Sequence, residues 1–423
     1  MANLVLAPHR DPARDGRIDP GDRPRANGGG AVVAWRLPPW RATSAGAPAG
    51  SGGMLRTHRQ ATLVSFRLGG PDGVSVEAMK WTKALRALGF AVRTAAGGGI
   101  ADVIVPGLDI DAESPPDPRV LARAVAGSDL VVVENVCSLP LNPAAGEALA
   151  DALRGTRTIL HHHDLPWQRS HIGPRPGWPP DDPAWVHVTI NELSRQELAE
   201  RGIHASTVYN SFDTDVHRGR RGHARQVLGI GPGERLLLQP TRAIPRKNIP
   251  ASVRLAEAIG ATYWLTGPAE DGDAPELQRI LDGARCRVIR GLPADLDLPD
   301  AYAACDAVSF PSTWEGFGNP LIEAAVHRRP LAVGHYPVIS EVARFGFRWF
   351  PAGDPEELSA WLDKPDEEVL DVNETLARRH FSIASLSRRM AAVMTSAGWR
   401  DLLEEGPAAR VASGVGRAAQ PAR

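Results

Sequence analysis

The chain has 423 residues, enough for two or three domains with sizeable cores. Its 48 basic residues nearly cancel 49 acidic ones, for a formal net charge of −1, which removes the basic excess expected of a nucleic-acid binder. No apolar run approaches the roughly 18 residues of a membrane span, so stable membrane insertion is not expected.

Three scattered cysteines, Cys137, Cys286 and Cys305, form no CxxC pair, which argues against a disulfide framework or a cysteine zinc site and for a reducing cytoplasm. Residues 1–55 are rich in Arg, Pro, Gly and Ala without a sustained period and read as a disordered tail, with Met54 as an alternative start. From there short apolar runs alternate with helical patterns. "ATLVSF" (61–66) reads as a buried strand and "LGGPDG" as the turn after it. Val74, Ala78, Trp81, Leu85 and Leu88 then share one helical face, closed by Gly89. "DLVVVENV" (129–136), "TRTILHHH" (156–163), "WVHVTIN" (185–191) and "STVYN" (206–210) are further strands. A second series runs through "RLLLQPTRA" (235–243), "TYWLTGP" (262–268), "CRVIRGL" (286–292), "DAVSFPS" (306–312) and "PLAVGH" (330–335). Beyond residue 355 the pattern is helical.

Continuous rather than alternating apolarity suits parallel strands covered on both faces. Two β/α series joined near residues 215–232 predict an α/β chain of two doubly wound, Rossmann-like domains. The expected divisions are a first domain over 56–215, a second over 216–380, a C-terminal helix over 381–400 and a loose tail over 401–423. Ligands of such sheets bind at the carboxyl ends of the strands, so the cleft between the domains is the expected site.

Two segments carry the chemistry. In "TWEGFGNPLIEAAVHRRP", Glu315 precedes Glu323 by eight positions; Gly316 and Gly318 loosen a turn, and Asn319-Pro320 can open a helix as N-cap and first residue. Backbone N–H groups at such a start favour a phosphate, and the two acids could meet sugar or ribose hydroxyls. Taken alone, an ordinary helix with first-turn acids explains the segment equally well. The other segment, "RAIPRKNIPASVRLAEAIG", places Arg242 and Lys247 at a strand-to-helix junction, with Asn248 as a candidate cap. A departing diphosphate needs such cations in a low-dielectric cleft. Only four of the 48 cations, Lys80, Lys83, Lys247 and Lys364, are lysines, so Lys247 is poorly explained as surface filler.

Together the two segments resemble the retaining glycosyltransferases of family 4, which have the GT-B fold. "TRAIPRKN" matches that family's R-x4-K segment and "FPSTWEGFGNPLIEA" its E-x7-E segment. The resemblance extends in order and spacing over most of residues 60–395. It implies transfer of a sugar from a nucleotide-diphospho-sugar to an acceptor hydroxyl with retention. Arg242 and Lys247 would hold the diphosphate, Glu323 the ribose and Glu315 the transferred sugar, with the backbone of Phe317, Gly318 and Asn319 close to the donor. "RLGGPDG" is similar to the family's opening glycine loop, bringing Gly69 and Gly70 to the donor phosphates. "ILHHHDLPW" ends a strand on a His-Asp step, where the resemblance puts His163 near the reacting sugar.

His161 and His163 alternate along a strand and can share a face. Without further ligands, structural or substrate-contacting histidines are favoured over a metal, with substrate contact expected of His163 and the roles of His161 and His162 left open, and neither a metal nor another cofactor is expected. Trp167, Trp178 and Trp185, in a Pro-rich loop, either stack on an acceptor or pin the loop; Arg169 and Arg175 are weaker candidates for an anionic acceptor. The acceptor itself, whether sugar, glycoconjugate, lipid or small molecule, is not legible, and only a lipid acceptor would call for peripheral membrane contact. A non-catalytic nucleotide-sugar-binding protein, or another enzyme of the same fold such as an epimerase, is the alternative.

Overall fold

Buried, continuous apolar strands dictate the architecture. The computed structural model describes residues 59–404 apart from 71, 170, 171 and 270–272, so the expected N-terminal tail, Met54 and residues 405–423 lie outside the described residues. Seven strands, β1 (Arg59–Leu68), β2 (Phe90–Gly99), β3 (Val103–Ile104), β4 (Leu130–Glu134), β5 (Thr158–His162), β6 (Trp185–Thr189) and β7 (Ala205–Thr207), form a sheet of order β3-β2-β1-β4-β5-β6-β7. Six more, β8 (Arg235–Gln239), β9 (Ala261–Leu265), β10 (Val288–Arg290), β11 (Ala307–Phe310), β12 (Leu331–Val333) and β13 (Phe350–Pro351), form a second of order β10-β9-β8-β11-β12-β13. All pairings within both sheets are parallel. Every residue of β4, β5 and β9 is buried, as strands covered on both faces require.

Helices α1 (Gly73–Ala87), α2 (Pro118–Val125), α3 (Pro143–Leu153) and α4 (Glu192–Ala199) accompany the first sheet; α5 (Arg221–Leu228) through α11 follow with the second. These are α6 (Ile249–Ala258), α7 (Ala274–Asp282), α8 (Leu298–Ala304), α9 (Pro320–Val326), α10 (Ile339–Ala343) and α11 (Pro355–Asp363). The chain ends in α12 (Glu367–Phe381) and α13 (Ile383–Ser396). The latter crosses back: Leu386, Met390, Val393 and Met394 join Trp81, Leu85 and the strands of the first sheet in one core. Residues 401–404 are not loose: Leu402 closes a short 3₁₀ turn and is buried in that same core. The crossover is tied at Phe212, whose N–H donates to Phe381 O and whose carbonyl accepts from Ile383 N.

In each sheet the strand order reverses beside the first strand of the series, between β1 and β4 and between β8 and β11. Loops leaving those carboxyl ends diverge and open a crevice. The singled-out residues sit there: Gly69 and Gly70 after β1, Arg242 and Lys247 after β8, and Glu315 to Asn319 after β11. His163 directly follows β5, the strand next to β4.

Candidate active site

After β8 the chain runs through Arg242 and a single 3₁₀ turn, Pro245–Lys247, before α6 begins. Lys247 is buried, and its ammonium Nζ lies 2.5 Å from Glu315 Oε1. Arg246 Nη1 donates to Glu315 Oε2 at 2.6 Å and to the Trp314 carbonyl at 2.9 Å. Both oxygens of the Glu315 carboxylate are thus engaged by cations from the facing loop. Burial holds the Lys247 ammonium below its ordinary pKa; Glu315 pulls it back up, while the charges of Arg246 and Arg242 add to the lowering. Arg242 is exposed on the same loop, so three cations converge on one side of the crevice. Arg246 was not singled out in the sequence, although it lies inside the same "TRAIPRKN" segment.

The loop after β11 is held by its backbone. Gly318 has φ +99°, a conformation glycine adopts without strain; a side-chain carbon there would collide with Tyr336 Oη and come within 2.9 Å of Phe310 Cε1. The Phe317 ring is buried among Phe212, Tyr209 and Phe381, and its carbonyl accepts from Tyr336 Oη at 3.0 Å, so the residue anchors the loop from below. Asn319 precedes α9 but does not cap it: its backbone is already helical, and its Oδ1 accepts from Asn210 Nδ2 at 3.2 Å. Asn248 likewise makes no cap bond to α6; it takes a left-handed backbone and donates to the Pro311 carbonyl.

Glu323, in the first turn of α9, accepts from Tyr302 Oη at 2.8 Å, and Tyr302 stacks on His327 at 4.7 Å. Removal from water raises the Glu323 pKa, against the pull of the Tyr302 hydrogen bond and of the Lys80 and Lys247 charges. Lys80 comes from α1, on the opposite domain, where its ammonium pairs with buried Glu77 at 3.0 Å and sits 4.1 Å from the Phe212 ring centre. It is thus a cation of the cleft that only the scarcity of lysine hinted at.

On the first domain, Glu134 closes β4 as a fully buried carboxylate. Its Oε2 is 2.8 Å from His161 Nδ1 and 2.8 Å from His163 Nε2. His161 and His163 therefore do share a face, with ring centres 4.5 Å apart, and Trp81 lies 4.1 Å from the His161 ring. His162 points the other way, bonded to Ser138 at 2.7 Å and to His187 at 2.9 Å. The donor atoms of Glu134, His161 and His163 lie within 4.8 Å of one another, close enough for an ion to bridge, yet both short contacts already satisfy two imidazoles on one oxygen. Nothing about strand periodicity pointed to Glu134; an acid ending an otherwise apolar run, "LVVVE", is the one visible trace.

The domains touch at this point. The His163 carbonyl lies 3.1 Å from where a side-chain carbon on Gly316 would stand, and Asn191 Nδ2 donates to Gly316 O at 2.6 Å. Glu341, from α10, accepts from the first two N–H groups of α4, Glu192 at 2.6 Å and Leu193 at 2.8 Å. Gly69 makes its turn with φ +79° at the mouth of a hollow of about 330 Å³, lined also by Arg67, Gly70, Asp109 and Asp111. Another hollow, bordered by Arg221, Arg225 and Arg235, lies at the opposite ends of the strands, where Asp306 and Asp363 pair with those guanidiniums.

The tryptophans are pins. Trp178 is buried and donates to Ser138 O; Trp185, buried in β6, donates to Leu153 O; and Trp167 donates to Glu197 under the Arg201 guanidinium. Arg169 pairs with Asp164 and Arg175 with Glu147. Irregular Pro-rich backbone supplies few hydrogen bonds of its own, which explains why the indoles are spent on fixing it.

Residues 246–364 match the family described as Glycosyl transferases group 1. The mannosylglucosylglycerate synthase of Thermotoga maritima is 27% identical across 77% of this chain and 97% of its own length. That of Petrotoga mobilis is 25% identical across 77% and 94%. Among solved structures, Anabaena Alr3699/HepE in complex with UDP-glucose superposes with a TM-score of 0.62 over 79% of this chain and 99% of that one, at 17% identity.

Proposed function

This chain is a glycosyltransferase of the GT-B fold, and from that premise we propose that it moves a hexosyl group from a nucleotide-diphospho-sugar to a hydroxyl of a small polyhydroxylated acceptor, with retention of configuration. The observation that carries the reading is the meeting of Arg246 and Lys247 with Glu315, within the field of Arg242, at the switch point of the second sheet, with the loop after Glu315 against His163 of the first.

Cleaving the donor builds positive charge on the sugar and negative charge on the leaving diphosphate. Fixed cations in a water-poor crevice stabilise that leaving group more than they stabilise the bound donor, where less charge has developed. Lys247 and Arg242 supply that stabilisation. Glu323 is placed to accept hydrogen bonds from the ribose diol, and the Gly69–Gly70 turn approaches the donor from the other domain. Because both Glu315 oxygens are held by cations, the carboxylate orients the sugar rather than attacking it. Same-face delivery of the acceptor, with the departing phosphate taking its proton, gives retention. The balance of charge makes a resident metal unnecessary to the proposal, and the supply of nucleotide sugars goes with a cytoplasmic site of action.

The relatives are named for a product with mannosyl, glucosyl and glycerate parts. Mannosyl transfer to glucosylglycerate is therefore the first reaction to test, with the hollow at Arg67, Asp109 and Asp111 as the acceptor side. A thermal-shift panel of UDP, GDP, ADP and their sugars is expected to raise the melting point with one base. Lys247→Ala is expected to abolish that shift, and transfer in the matching donor should survive EDTA. No shift with any nucleotide, or full turnover by both Lys247→Ala and Glu323→Ala, would overturn the reading.

A further inference from the structure

Glu134 is a carboxylate taken wholly out of water at the end of a core strand, a placement that is costly unless its charge is matched. Oε2 meets two imidazoles, while Oε1 has no hydrogen-bond partner among the described residues. His161 is equally buried, gives Nδ1 to Glu134, and leaves Nε2 buried without a partner among the described residues. A second proton on His161 would sit on that partnerless nitrogen, so His161 is neutral and protonated on Nδ1. The matching charge has to come from His163, the member of the trio at the cleft.

We propose that Glu134 is a positioning residue that holds His163 as an imidazolium, Nε2–H bound to the carboxylate and Nδ1–H left for the cleft, so that His163 meets the transferred sugar as a charged hydrogen-bond donor and not as a base. The surroundings agree. Glu134 on β4, Glu77 on α1 and Asp164 next in the chain all favour the charged form of His163 against the cost of its burial; Glu77 is itself paired with Lys80, and Asp164 with Arg169. Burial lowers the pKa of His161, and lowers that of His162 on the other face further. From the second domain the backbone of Gly316 is what stands against the His163 carbonyl. The backbone is built for this register: Asn135 turns the chain after Glu134 with φ +63°, and its Oδ1 accepts from the His163 N–H.

The proposal depends on the transferase reading only for what the imidazolium touches, and its main test needs no sugar. The full chain labelled with ¹³Cε1-histidine is titrated by NMR, with His163 assigned by the signal lost in His163→Gln. His163 is expected to titrate above the ordinary 6.5. In Glu134→Gln the midpoint should fall by at least about one unit, a tenfold loss of the charged form at a given alkaline pH, because the uncharged amide no longer repays burial of the cation. Glu134→Asp should restore much of it. With the mannosyl donor of whichever base the nucleotide panel selects, and glucosylglycerate as acceptor, the alkaline limb of the turnover profile should move down with the same midpoint in Glu134→Gln. A purely structural role would lower turnover at every pH without moving that limb. A wild-type midpoint below 6.5, an unmoved midpoint in folded Glu134→Gln, or a stoichiometric metal ion in the purified chain would each overturn the proposal. The transferase reading fails separately, through the nucleotide panel.

Discussion

At the scale of single residues, the facing pair of cations on Glu315 divides its labour. In the proposed reaction Lys247 keeps one N–H on Glu315 Oε1 and offers its others to the diphosphate, whereas Arg246 is fastened to the Trp314 carbonyl as well and serves the carboxylate alone. Arg246→Ala is therefore expected to lower transfer by about 10²-fold through misplacement of Glu315, with nucleotide binding measured by thermal shift nearly unchanged. His327 offers a separate test. Burial, with help from Arg329, pushes its imidazole down to about 4 from an ordinary 6.5. A depressed histidine stabilises the fold while neutral, and that stability is lost as pH falls from about 6.5 toward 4, because the unfolded chain takes up the proton first. The loss amounts to up to about 3 kcal/mol. His327→Phe, which keeps the stack on Tyr302, should flatten the decline of melting temperature across that window. The singled-out residues were legible where chemistry demands a rare type at a fixed spacing, as for Lys247. Glu134 and Arg246 were not, because their significance lies in partners 27 and 69 positions away.

At the scale of elements, continuous apolarity revealed ten strands, since a strand buried on both faces leaves that trace whatever its neighbours do. Of the three it did not reveal, β3 and β13 have two residues each and carry no period, and β2 interrupts its apolar residues with Arg93, Thr94 and three glycines. Strand ends were overrun as well: "RLLLQPTRA" reads as one run, but β8 stops at Gln239, whose side-chain amide donates to the Lys247 carbonyl and pulls the following loop back over the strand. Helix starts misled in the opposite sense. Asn319 and Asn248 have the right side chains for caps and make none, because each is used on the backbone or side chain of a neighbouring segment. The loop before α9 depends instead on Gly318. Gly318→Ala is expected to cost roughly 2 kcal/mol or more, from the left-handed backbone and the collision with Tyr336. Chemical denaturation would measure that loss, and nucleotide binding should fall with it.

At the scale of the whole molecule, the two sheets are joined twice over: covalently through Phe212 and the α12–α13 crossover, and by hydrogen bonds at the Gly316 loop and Glu341. The crossover had a sequence trace in the helical C-terminal pattern. The second set had none, since a glutamate on a five-residue helix looks like any surface acid until α4 is seen beside it. That set has a kinetic corollary. The first two amides of α4 are sealed by a carboxylate from the other domain, and Asn191 serves at once as the cap of that helix and as the donor to Gly316. The cleft cannot widen there without unsealing them, so hydrogen–deuterium exchange at Glu192 and Leu193 should run at the frequency with which the cleft opens. Nucleotide binding should slow exchange at those two amides far more than in the middle of β4 or β9. The enzyme thus carries, in one helix terminus, a built-in clock for its own gate.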